Sequence, residues 1–451
     1  MDKIVIVRSY KTKSKENKLM RGFRKILTGV VTTLVVVGFS LSGYAGEEDI
    51  KEIKKQIEVL TGEMEKLKLG AVAEPKYESF MGLGPAASKI YSLGKGLSIG
   101  GYGEVRYSNY SDSTKTDIAD VSRFVLYTGY KFNDWIIMNT ELEFEHAGFE
   151  DGGAKTETFV EFTYLDFLLN PAFNLRPGLD LIPIGFLNEY HEPTVYNGVL
   201  RPEIETNIIP TTWREIGLMA HGQIGPIKYN AALVNGLTGT PRGKDFIREL
   251  RQKGSKVNAD AFATVVRINY EPVTGLLLGG TYYAGELDSD AGDATNVSGT
   301  SGKEGDVTLW EVHAQYRLAG LQLRGLFTSG EMDGNAALKA TKVGKEVEGW
   351  YLEAAYDIMP LIKSDSEMAI TPFVRYEDYN THKEVFEGQT RDKTFDRTVT
   401  TIGLGFKPHS NVIVKADYQA KDTSSDLPSG KGTGKDENKI DQFNIGIGFI
   451  F

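Results

Sequence analysis

The stretch IDQFNIGIGFIF at residues 440–451 decides the fold. From Phe443 to Phe451 every second residue is apolar, and the residues between them are mostly small or polar. A period of two predicts a β-strand with one apolar face. That face must be buried away from water, either against the core of a soluble protein or against lipid. This segment alone leaves both interpretations open.

The same period extends backwards through the chain to Leu97 and predicts sixteen β-strands. Their approximate ranges are 97–107, 121–132, 135–146, 157–169, 174–187, 215–224, 226–235, 260–271, 275–285, 307–318, 321–329, 347–358, 368–378, 396–407, 411–420 and 440–451. Strand 157–169 fits the alternation least well, because Asp166 falls on the face opposite Glu161. No single register therefore describes that strand.

The connections between these strands alternate in length. Short ones contain turn residues, as at 133–134 and 225–226, whereas long polar ones span ranges such as 288–306 and 421–439. Short turns at one end, long loops at the other and an even strand number are typical of outer-membrane barrels. We therefore predict an all-β transmembrane barrel of 16 antiparallel strands over residues 97–451, apolar towards lipid and polar towards a water-filled lumen.

Composition favours a barrel over a helical membrane protein. The 451 residues include 50 Gly, 22 Tyr and 22 Phe, and the mean hydropathy is −0.27. After residue 45, no apolar run approaches the length of a membrane helix. The sequence contains no cysteine, which excludes disulfides and thiolate metal sites and suits an oxidising compartment.

The first 45 residues differ from the rest in charge and hydropathy. Basic residues precede an apolar run at 26–41 and small residues follow it, which predicts a signal peptide over 1–45. An N-terminal anchor helix is the alternative. Because Met20 stands where such a peptide would begin, we interpret residues 1–19 as an over-extended start. Without residues 1–45, the 51 basic and 61 acidic residues become 42 and 59, and this net charge of −17 argues against a nucleic-acid partner.

Residues 46–70 carry a helical pattern instead. Apolar residues recur there at alternating spacings of three and four, at Ile50, Ile53, Ile57, Leu60, Met64 and Leu67. This heptad seam predicts a short α-helical coiled coil in the periplasm, and isoleucine at both core positions favours a trimer. One amphipathic helix packed on a domain is the alternative. We interpret residues 71–96, which have no clear periodicity, as a linker to the barrel.

The third long connection, residues 188–215, is the candidate for narrowing the lumen of so wide a barrel. We predict a pore constriction formed by its charged and titratable side chains: Glu189, His191, Glu192, Arg201, Glu203, Glu205, Arg214 and Glu215. Opposite charges facing each other across a narrow passage orient solutes and sort them by charge. An ordinary surface loop held by its own salt bridges is the alternative.

Three segments resemble the phosphate-selective porin O and P family and related porins: SLGKGLSIGGYGE at 92–104, GFLNEYHEPTVYNGVLRPEIETNIIPTTWREIGL at 185–218 and VNG at 234–236. The resemblance extends over roughly residues 93–451. It implies a trimeric channel of sixteen strands, with phosphate selectivity resting on arginines and lysines of the lumen. The third long loop of this chain departs from that pattern, because it is rich in acidic residues.

The predicted strand faces place eight cations on the lumen side. These lumen-lining residues are Arg106, Arg123, Arg176, Arg267, Arg324, Arg375, Arg397 and Lys415. Inward-facing carboxylates accompany them, namely Glu104, Glu141, Glu143, Glu145, Asp180, Glu311, Glu353 and Glu377. Together they form either a ladder for anions or a set of cations that the acids neutralise.

We predict no enzymatic activity, no cofactor and no metal site. The six histidines lack zinc-binding spacing, and the Asp-rich run at 288–293 does not match an EF-hand loop. The expected partners are outer-membrane lipid, two further copies in a homotrimer and the barrel-assembly machinery, which would bind the C-terminal strand. Through its coil, the chain would contact peptidoglycan or a periplasmic partner.

These features predict an outer-membrane porin that lets small hydrophilic solutes, ions in particular, diffuse passively through a charged constriction. Two alternatives remain open at this stage. The first is a substrate-selective channel for a siderophore or an oligosaccharide. The second is a structural tether, which the barrel anchors and which acts through the coiled coil.

Overall fold

The computed structural model of the protein describes residues 79–111, 115–147, 156–239, 244–288, 303–334, 342–364, 366–427 and 438–451. The predicted signal peptide (1–45), the predicted coiled coil (46–70) and the first part of the predicted linker (71–78) lie outside the described residues. Within the described ranges, no helix is both long and apolar enough to cross a membrane.

The described residues form sixteen long antiparallel strands, the predicted number, numbered here in chain order. They are β1 (Gly96–Tyr110), β2 (Ile118–Lys131), β3 (Ile136–Glu145), β4 (Glu157–Asn170), β5 (Phe173–Leu181), β6 (Arg214–Ile224), β7 (Ile227–Asn235), β8 (Phe262–Tyr270), β9 (Leu276–Asp288), β10 (Lys303–Leu318), β11 (Leu321–Gly334), β12 (Gly344–Tyr356), β13 (Ala369–Val385), β14 (Asp396–His409), β15 (Val412–Thr423) and β16 (Lys439–Ile450). A two-residue bridge, Leu237–Thr238, pairs in parallel with the end of β9. Short helices are α1 (Lys89–Ser92), α2 (Ile204–Asn207) and α3 (Met359–Ile362), with 3-10 turns at Ile247–Leu250 and Lys393–Phe395.

Pairing between the first and last strands closes the sheet into a barrel. Strand β1 runs antiparallel to β16, with Tyr102 opposite Ile450 and Tyr110 opposite Gln442, and it pairs with β2 on its other side. The remaining strands pair with the strands before and after them in sequence. A closed sheet has no free edge, so its backbone polar groups are satisfied without water.

The outward face of the barrel is apolar, as the period of two predicts. On β16, Ile447 is 48% exposed, whereas Asn444 points inward and is buried. On β10, Trp310 and Val312 face outward in the same way, while Glu311 between them is buried. This alternation gives the barrel an apolar outer surface, which is the arrangement that lipid requires.

Short turns lie at one end of the barrel and long connections at the other, in agreement with the predicted alternation. Residues 171–172 join β4 to β5, and residues 225–226 join β6 to β7. By contrast, residues 182–213 separate β5 from β6, because β5 ends at Leu181 and does not continue to residue 187 as predicted. This connection is called the inner loop below.

A β-bulge explains why strand 157–169 has no single register. Glu141 of β3 lies opposite Phe162, whereas the next residue, Leu142, lies opposite Val160, so Glu161 is an extra residue in β4. An extra residue shifts the alternation by one position. Glu161 and Asp166 are therefore both buried inside the barrel, although simple alternation places them on opposite faces.

The interior is not polar throughout, which corrects the prediction of a polar, water-filled lumen. The inner loop brings in Ile184, Ile204, Ile208 and Trp213, which join one buried apolar cluster with the inward faces of β6–β12. The wall contributes side chains such as Met219, Val265, Tyr283, Leu309, Leu326 and Tyr351. These contacts are called the apolar sector below, and they hold the inner loop inside the barrel.

Residues 79–95, called the entry segment below, also lie against the inner wall. Leu83 and Ile90 are buried, and Leu83 joins a second apolar cluster with residues of β1, β2, β4, β5 and β16. The side-chain amide of Asn139 donates to the Ala87 carbonyl at 2.9 Å, and Lys131 donates to the Leu93 carbonyl at 2.8 Å. The segment therefore occupies the end of the barrel that carries the short turns.

Candidate functional site: the inner loop and the lumen charges

The inner loop is tied at its base, where its two arms leave the barrel wall. The side-chain amide of Asn188 donates to the carbonyl oxygens of Ile182 and Trp213 at 2.7 and 2.9 Å. The side-chain oxygen of Asn188 accepts from the Trp213 N–H at 2.7 Å. Because these bonds pair the arms, the residues between them project into the lumen.

From this base the loop crosses the lumen to the far wall. The carbonyl oxygens of Thr194 and Gly198 accept from Lys407 of β14 and Lys415 of β15, at 2.7 and 2.8 Å. The backbone N–H of Val199 donates to Asp417 of β15 at 2.6 Å. In a closed barrel of sixteen strands, β13–β15 lie across from β5 and β6, so the loop spans the lumen.

Glu189 and His191 contact walls on different sides. The Glu189 carboxylate lies 3.1 Å from Arg267 of β8, and Nε2 of His191 lies 3.4 Å from Glu141 of β3. Burial raises the pKa of Glu189 to about 7, although Arg267 opposes this shift. Burial and the nearby Arg201 lower the pKa of His191 to about 3, so its ring is neutral at neutral pH.

Glu192 joins the inner loop to the entry segment. Its Oε1 accepts from the backbone N–H groups of Ala86 and Ala87 at 2.9 and 3.0 Å. Burial raises the pKa of the Glu192 carboxyl to about 8, and the charge of Glu141 adds to this rise, whereas the two N–H donors oppose it. Glu192 thus connects the entry segment to the inner loop, and both segments lie inside the barrel.

Arg201 and Glu203 hold the far part of the loop. Arg201 donates to the His191 carbonyl at 3.3 Å, within the loop itself. Glu203 accepts from Lys421 of β15 at 2.7 Å and from the Tyr379 hydroxyl of β13 at 2.9 Å. Burial alone would raise the pKa of Glu203, but Lys421 and Tyr379 stabilise its charge and lower the pKa to about 2.

The Glu205 carboxylate accepts hydrogen bonds from three donors, two on the inner loop and one on the barrel wall. The backbone N–H groups of Phe186 and Leu187 both donate to its Oε2 at 2.7 Å. The Tyr351 hydroxyl of β12 donates to its Oε1 at 2.6 Å. Glu205 therefore links the incoming arm of the loop, the short helix α2 and the wall.

Arg214 and Glu215 lie at the start of β6, not on the projecting part of the loop. Arg214 pairs with Glu161 of β4 at 2.7 Å. Glu215 accepts from the Trp213 indole N–H at 3.0 Å and from Asn235 of β7 at 2.7 Å. All eight residues of the predicted constriction thus lie inside the barrel, and their role in transport remains a prediction.

The eight predicted lumen cations all lie on inward faces and have protein partners. Arg123 is near three carboxylates: Glu104 at 3.4 Å, Glu143 at 3.6 Å and Glu145 at 3.7 Å. The remaining contacts are Arg106 with Asp120, Arg176 with Asp166 and Asp180, Arg267 with Glu189, Arg324 with the Val195 carbonyl, Arg375 with Glu353 and Glu377, Arg397 with the Tyr379 hydroxyl, and Lys415 with the Gly198 carbonyl. Several of the predicted acids thus contact these cations, while the choice between an anion ladder and neutralised cations stays a prediction.

Three polar residues that bind the inner loop were not among the predicted site residues: Lys407 of β14, and Asp417 and Lys421 of β15. Lys407 shares the parity of Arg397 on β14, and the other two share that of Lys415 on β15, so the predicted faces could have identified them. Within the loop itself, Tyr196 donates to Glu104 at 2.5 Å.

The arrangement can filter solutes by charge and size. Among the described residues, no group of histidines and carboxylates has the geometry to hold a metal ion. Charges of both signs lie side by side along the lumen. Glu143 and Glu161 contact Arg123 and Arg214 on one side, and Glu353 and Glu377 contact Arg375 on the other.

A closed sixteen-stranded barrel with a loop folded into its lumen defines a porin-like protein. The solved structure of Salmonella typhi OmpF in a complex with daunomycin matches it with a TM-score of 0.50 and 12% identity, over 79% of this chain and 98% of that chain. A loop L8 deletion mutant of Vibrio cholerae OmpT matches with a TM-score of 0.49 and 13% identity, over 80% and 100%. An anion-selective porin from Comamonas acidovorans matches with a TM-score of 0.46 and 13% identity, over 79% and 99%.

The chain belongs to the same family as a protein of Aquifex aeolicus (strain VF5) that is described as uncharacterized. The two are 36% identical over 372 residues, which cover 79% of this chain and 83% of the relative. No family model matches the sequence. The similarity to OmpF, at 12% identity, bears on the fold alone.

Proposed function

We propose that the protein is an outer-membrane porin through which small hydrophilic solutes, ions in particular, diffuse passively. One observation carries this proposal: a loop held inside a closed sixteen-stranded barrel presents charged side chains to the remaining lumen. Such a loop narrows the passage, and its charges select the solutes. The apolar outer face supports a location in the outer membrane.

The constriction in this proposal comprises the inner loop and the residues at its base: Glu189, His191, Glu192, Arg201, Glu203, Glu205, Arg214 and Glu215. The eight lumen cations line the passage on either side of it. Because most of these side chains are buried, we infer that this conformation is a closed form of the channel. The join between Glu192 and the entry segment is the contact that must break for the short-turn end to open.

The rest of the chain serves targeting and assembly in this proposal. Residues 1–45 act as a signal peptide with an over-extended start, and residues 71–96 connect the coil to the barrel. Residues 46–70 form a periplasmic coiled coil, which holds three copies together and contacts peptidoglycan or a periplasmic partner. The apolar alternation of β16 would be read by the barrel-assembly machinery.

The resemblance to the phosphate-selective porins O and P bears on selectivity. Their phosphate preference would require free lumen cations, whereas the lumen cations of this chain contact carboxylates, carbonyls or hydroxyls. We therefore propose the porin architecture without the phosphate specificity. A substrate-selective channel stays the second candidate, because the closed lumen would need a specific solute to open it.

The test is single-channel conductance of the purified full-length protein in planar bilayers, with the reversal potential measured under a KCl gradient. Conductance steps in groups of three support a trimeric porin. If neither the wild-type protein nor a variant lacking residues 79–93 conducts, the porin proposal is wrong. A tether then becomes the better explanation, and deleting residues 46–70 should abolish its function in cells.

A further inference from the structure

Three buried carboxylates on neighbouring strands form a cluster in the lumen. Glu141 and Glu143 lie on β3, and Glu161 is the bulge residue of β4; all three are fully buried. This group, together with Tyr102 of β1, is called the carboxylate chamber below. The bulge creates it, because Glu161 would otherwise not point inward beside Glu143.

Several acceptor atoms of the chamber lack a hydrogen-bond partner among the described protein groups. They are Oε2 of Glu141, both carboxylate oxygens of Glu143 and Oε2 of Glu161. The hydroxyl of Tyr102, which is also fully buried, has no partner either and lies in the electrostatic field of Glu141 and Glu143. Buried polar atoms nearly always have a partner, so such a concentration indicates a ligand.

The ligand must be a hydrogen-bond donor or a cation. Glu143 and the bulge residue Glu161 lie on adjacent strands, and both side chains point into the barrel interior and are buried. Ionised carboxylates only accept, and two of them side by side repel unless a proton or a cation lies between them. Arg214 contacts Oε1 of Glu161 at 2.7 Å. The other oxygen of that carboxylate, Oε2, has no partner among the described protein groups.

The charge balance of this wall favours a cation over neutral water alone. Arg123 is shared by Glu104, Glu143 and Glu145 at distances of 3.4–3.7 Å. His191, which lies beside Glu141, is neutral and adds no positive charge. With Arg214 on Glu161, two cations contact the four carboxylates Glu104, Glu143, Glu145 and Glu161, so the acids outnumber the cations.

An ammonium group fits the chamber better than a metal ion. Among the described residues, no group of three or more carboxylates and histidines could hold a metal ion. An ammonium group instead donates hydrogen bonds to carboxylate oxygens and needs no metal-ligand geometry. Partly exposed Arg106, Asp120 and Glu145 lie between the chamber and the long-loop end, which gives such an ion a route from outside.

We propose that the carboxylate chamber binds a small monovalent cation of the ammonium class between Glu143 and Glu161. This inference rests on the proposed porin function and names its solute class. The site lies nearer to the long-loop end of the barrel than the contact between Glu192 and the entry segment does. A cation bound there would therefore be the last one held before the closed end of the passage.

Thallium(I), a monovalent cation with strong anomalous scattering, tests the site directly. Crystals of the full-length protein soaked in thallium acetate should show an anomalous peak between Glu143 and Glu161, and ammonium chloride should displace it. The peak should be lost in the Glu143→Gln/Glu161→Gln variant. It should persist in the matched control Glu311→Gln, which removes an inward carboxylate paired with His313 on another wall.

The outcomes separate the site from the channel. A peak that ammonium displaces supports the site even where bilayers show no conductance, and in that case only the porin function is wrong. Absence of a peak in well-diffracting wild-type crystals overturns the site and leaves a shared proton as the occupant. The wild-type measurement needs no variant, so misfolding of the double variant does not affect it. With a conducting channel, the K⁺/Cl⁻ permeability ratio should fall towards one in the double variant but not in Glu311→Gln.

Discussion

The two sides of the barrel interior are built from different chemistry. On β6–β12, the inner loop packs through Ile204, Ile208 and Trp213 into a wall that is itself apolar. The strands β15, β16 and β1–β3, called the polar sector below, carry inward-facing polar groups such as Asn444 and Glu143, and Asp417 there accepts from the Val199 N–H of the loop. The apolar sector behaves as a protein core, whereas we propose the polar sector as the side along which water and ions pass.

The comparison shows that one loop performs two tasks with its two faces. Burial of apolar side chains stabilises folded structure without direction, so the apolar face fixes the loop in place. Hydrogen bonds and ion pairs can be exchanged for water and solutes at a modest net free-energy cost. Opening is therefore expected in the polar sector, and damage to the fold is expected from the apolar sector.

The largest effect is expected from emptying the apolar sector. Trp213 is fully buried, and its ring centroid lies 4.7 Å from that of Tyr283. The Trp213→Ala variant should lose about 3–5 kcal/mol of unfolding free energy, the usual range for a buried aromatic. Urea unfolding in detergent, followed by circular dichroism, measures this. The control Trp310→Ala removes an outward-facing ring and should cost far less; equal losses would contradict the assignment of a core.

The next effect should appear in conductance and not in stability of the barrel. Glu192→Ala removes the acceptor of the Ala86 and Ala87 N–H groups. Loss of a buried acceptor costs about 1–3 kcal/mol, so the closed form should weaken and the open fraction should rise roughly 5- to 150-fold. Bilayer recordings measure the open probability. Glu157→Ala, at the exposed start of β4, is the control, and an equal rise there would remove Glu192 from the gate.

The pH dependence of opening refines the same contact. In the closed form burial raises the pKa of Glu192 to about 8, whereas in an open, hydrated form the pKa returns towards its ordinary 4.5. The closed form thus binds the proton more tightly, and its advantage falls as the pH rises from about 5 to 8. Closure should weaken by up to about tenfold per pH unit in that window and level off above it. The Glu192→Gln variant should lose this dependence, and an unchanged slope would implicate another group, such as Glu141.

The smallest effect belongs to the ion pair of Glu203 and Lys421, whose side chains are 17% and 16% exposed. The lowered pKa of Glu203, about 2, means that its contribution is complete above about pH 4.5 and is lost as the pH falls towards 2. Partial solvation limits the contribution, so Lys421→Met should cost about 1 kcal/mol or less at pH 7. The wild-type advantage over this variant should vanish at pH 2 in the same unfolding experiment. A difference that persists there would exclude the ion pair as its cause.

The strand number and the strand faces could be predicted because they follow from a local period. Residues such as Arg375 and Lys415 were placed inside by parity alone, and the structure buries both. The position of Asp166 could not be predicted in this way, because one extra residue at Glu161 reverses the parity. A bulge has no reliable sequence signal. The position of Glu161 therefore decided which face every later residue of β4 was assigned to.

The apolar sector and the ion pairs were beyond the reach of sequence reasoning for a different reason. On β8, outward Val266 and inward Val265 are both apolar, so alternation gives no contrast between the two faces. Partners such as Arg214 and Glu161 lie 53 residues apart and meet only when the barrel closes. Inward orientation could thus be predicted for a cation, but its carboxylate partner could not.

The seam between β1 and β16 has a consequence for the order of folding. Gly101 exchanges two backbone hydrogen bonds with Phe451, at 3.0 and 2.9 Å, and Ser108 pairs with Asn444, which is 336 residues away in sequence. Contacts of such long range form slowly, since much of the chain must already be ordered before the ends meet. We therefore expect this seam to form late, after the inner loop has packed against the strands β6–β12 of the incomplete barrel. If the barrel closed first, the inner loop of about thirty residues would have to enter through the open end of the barrel. We therefore expect the pairing of β1 with β16 to be the last step of assembly.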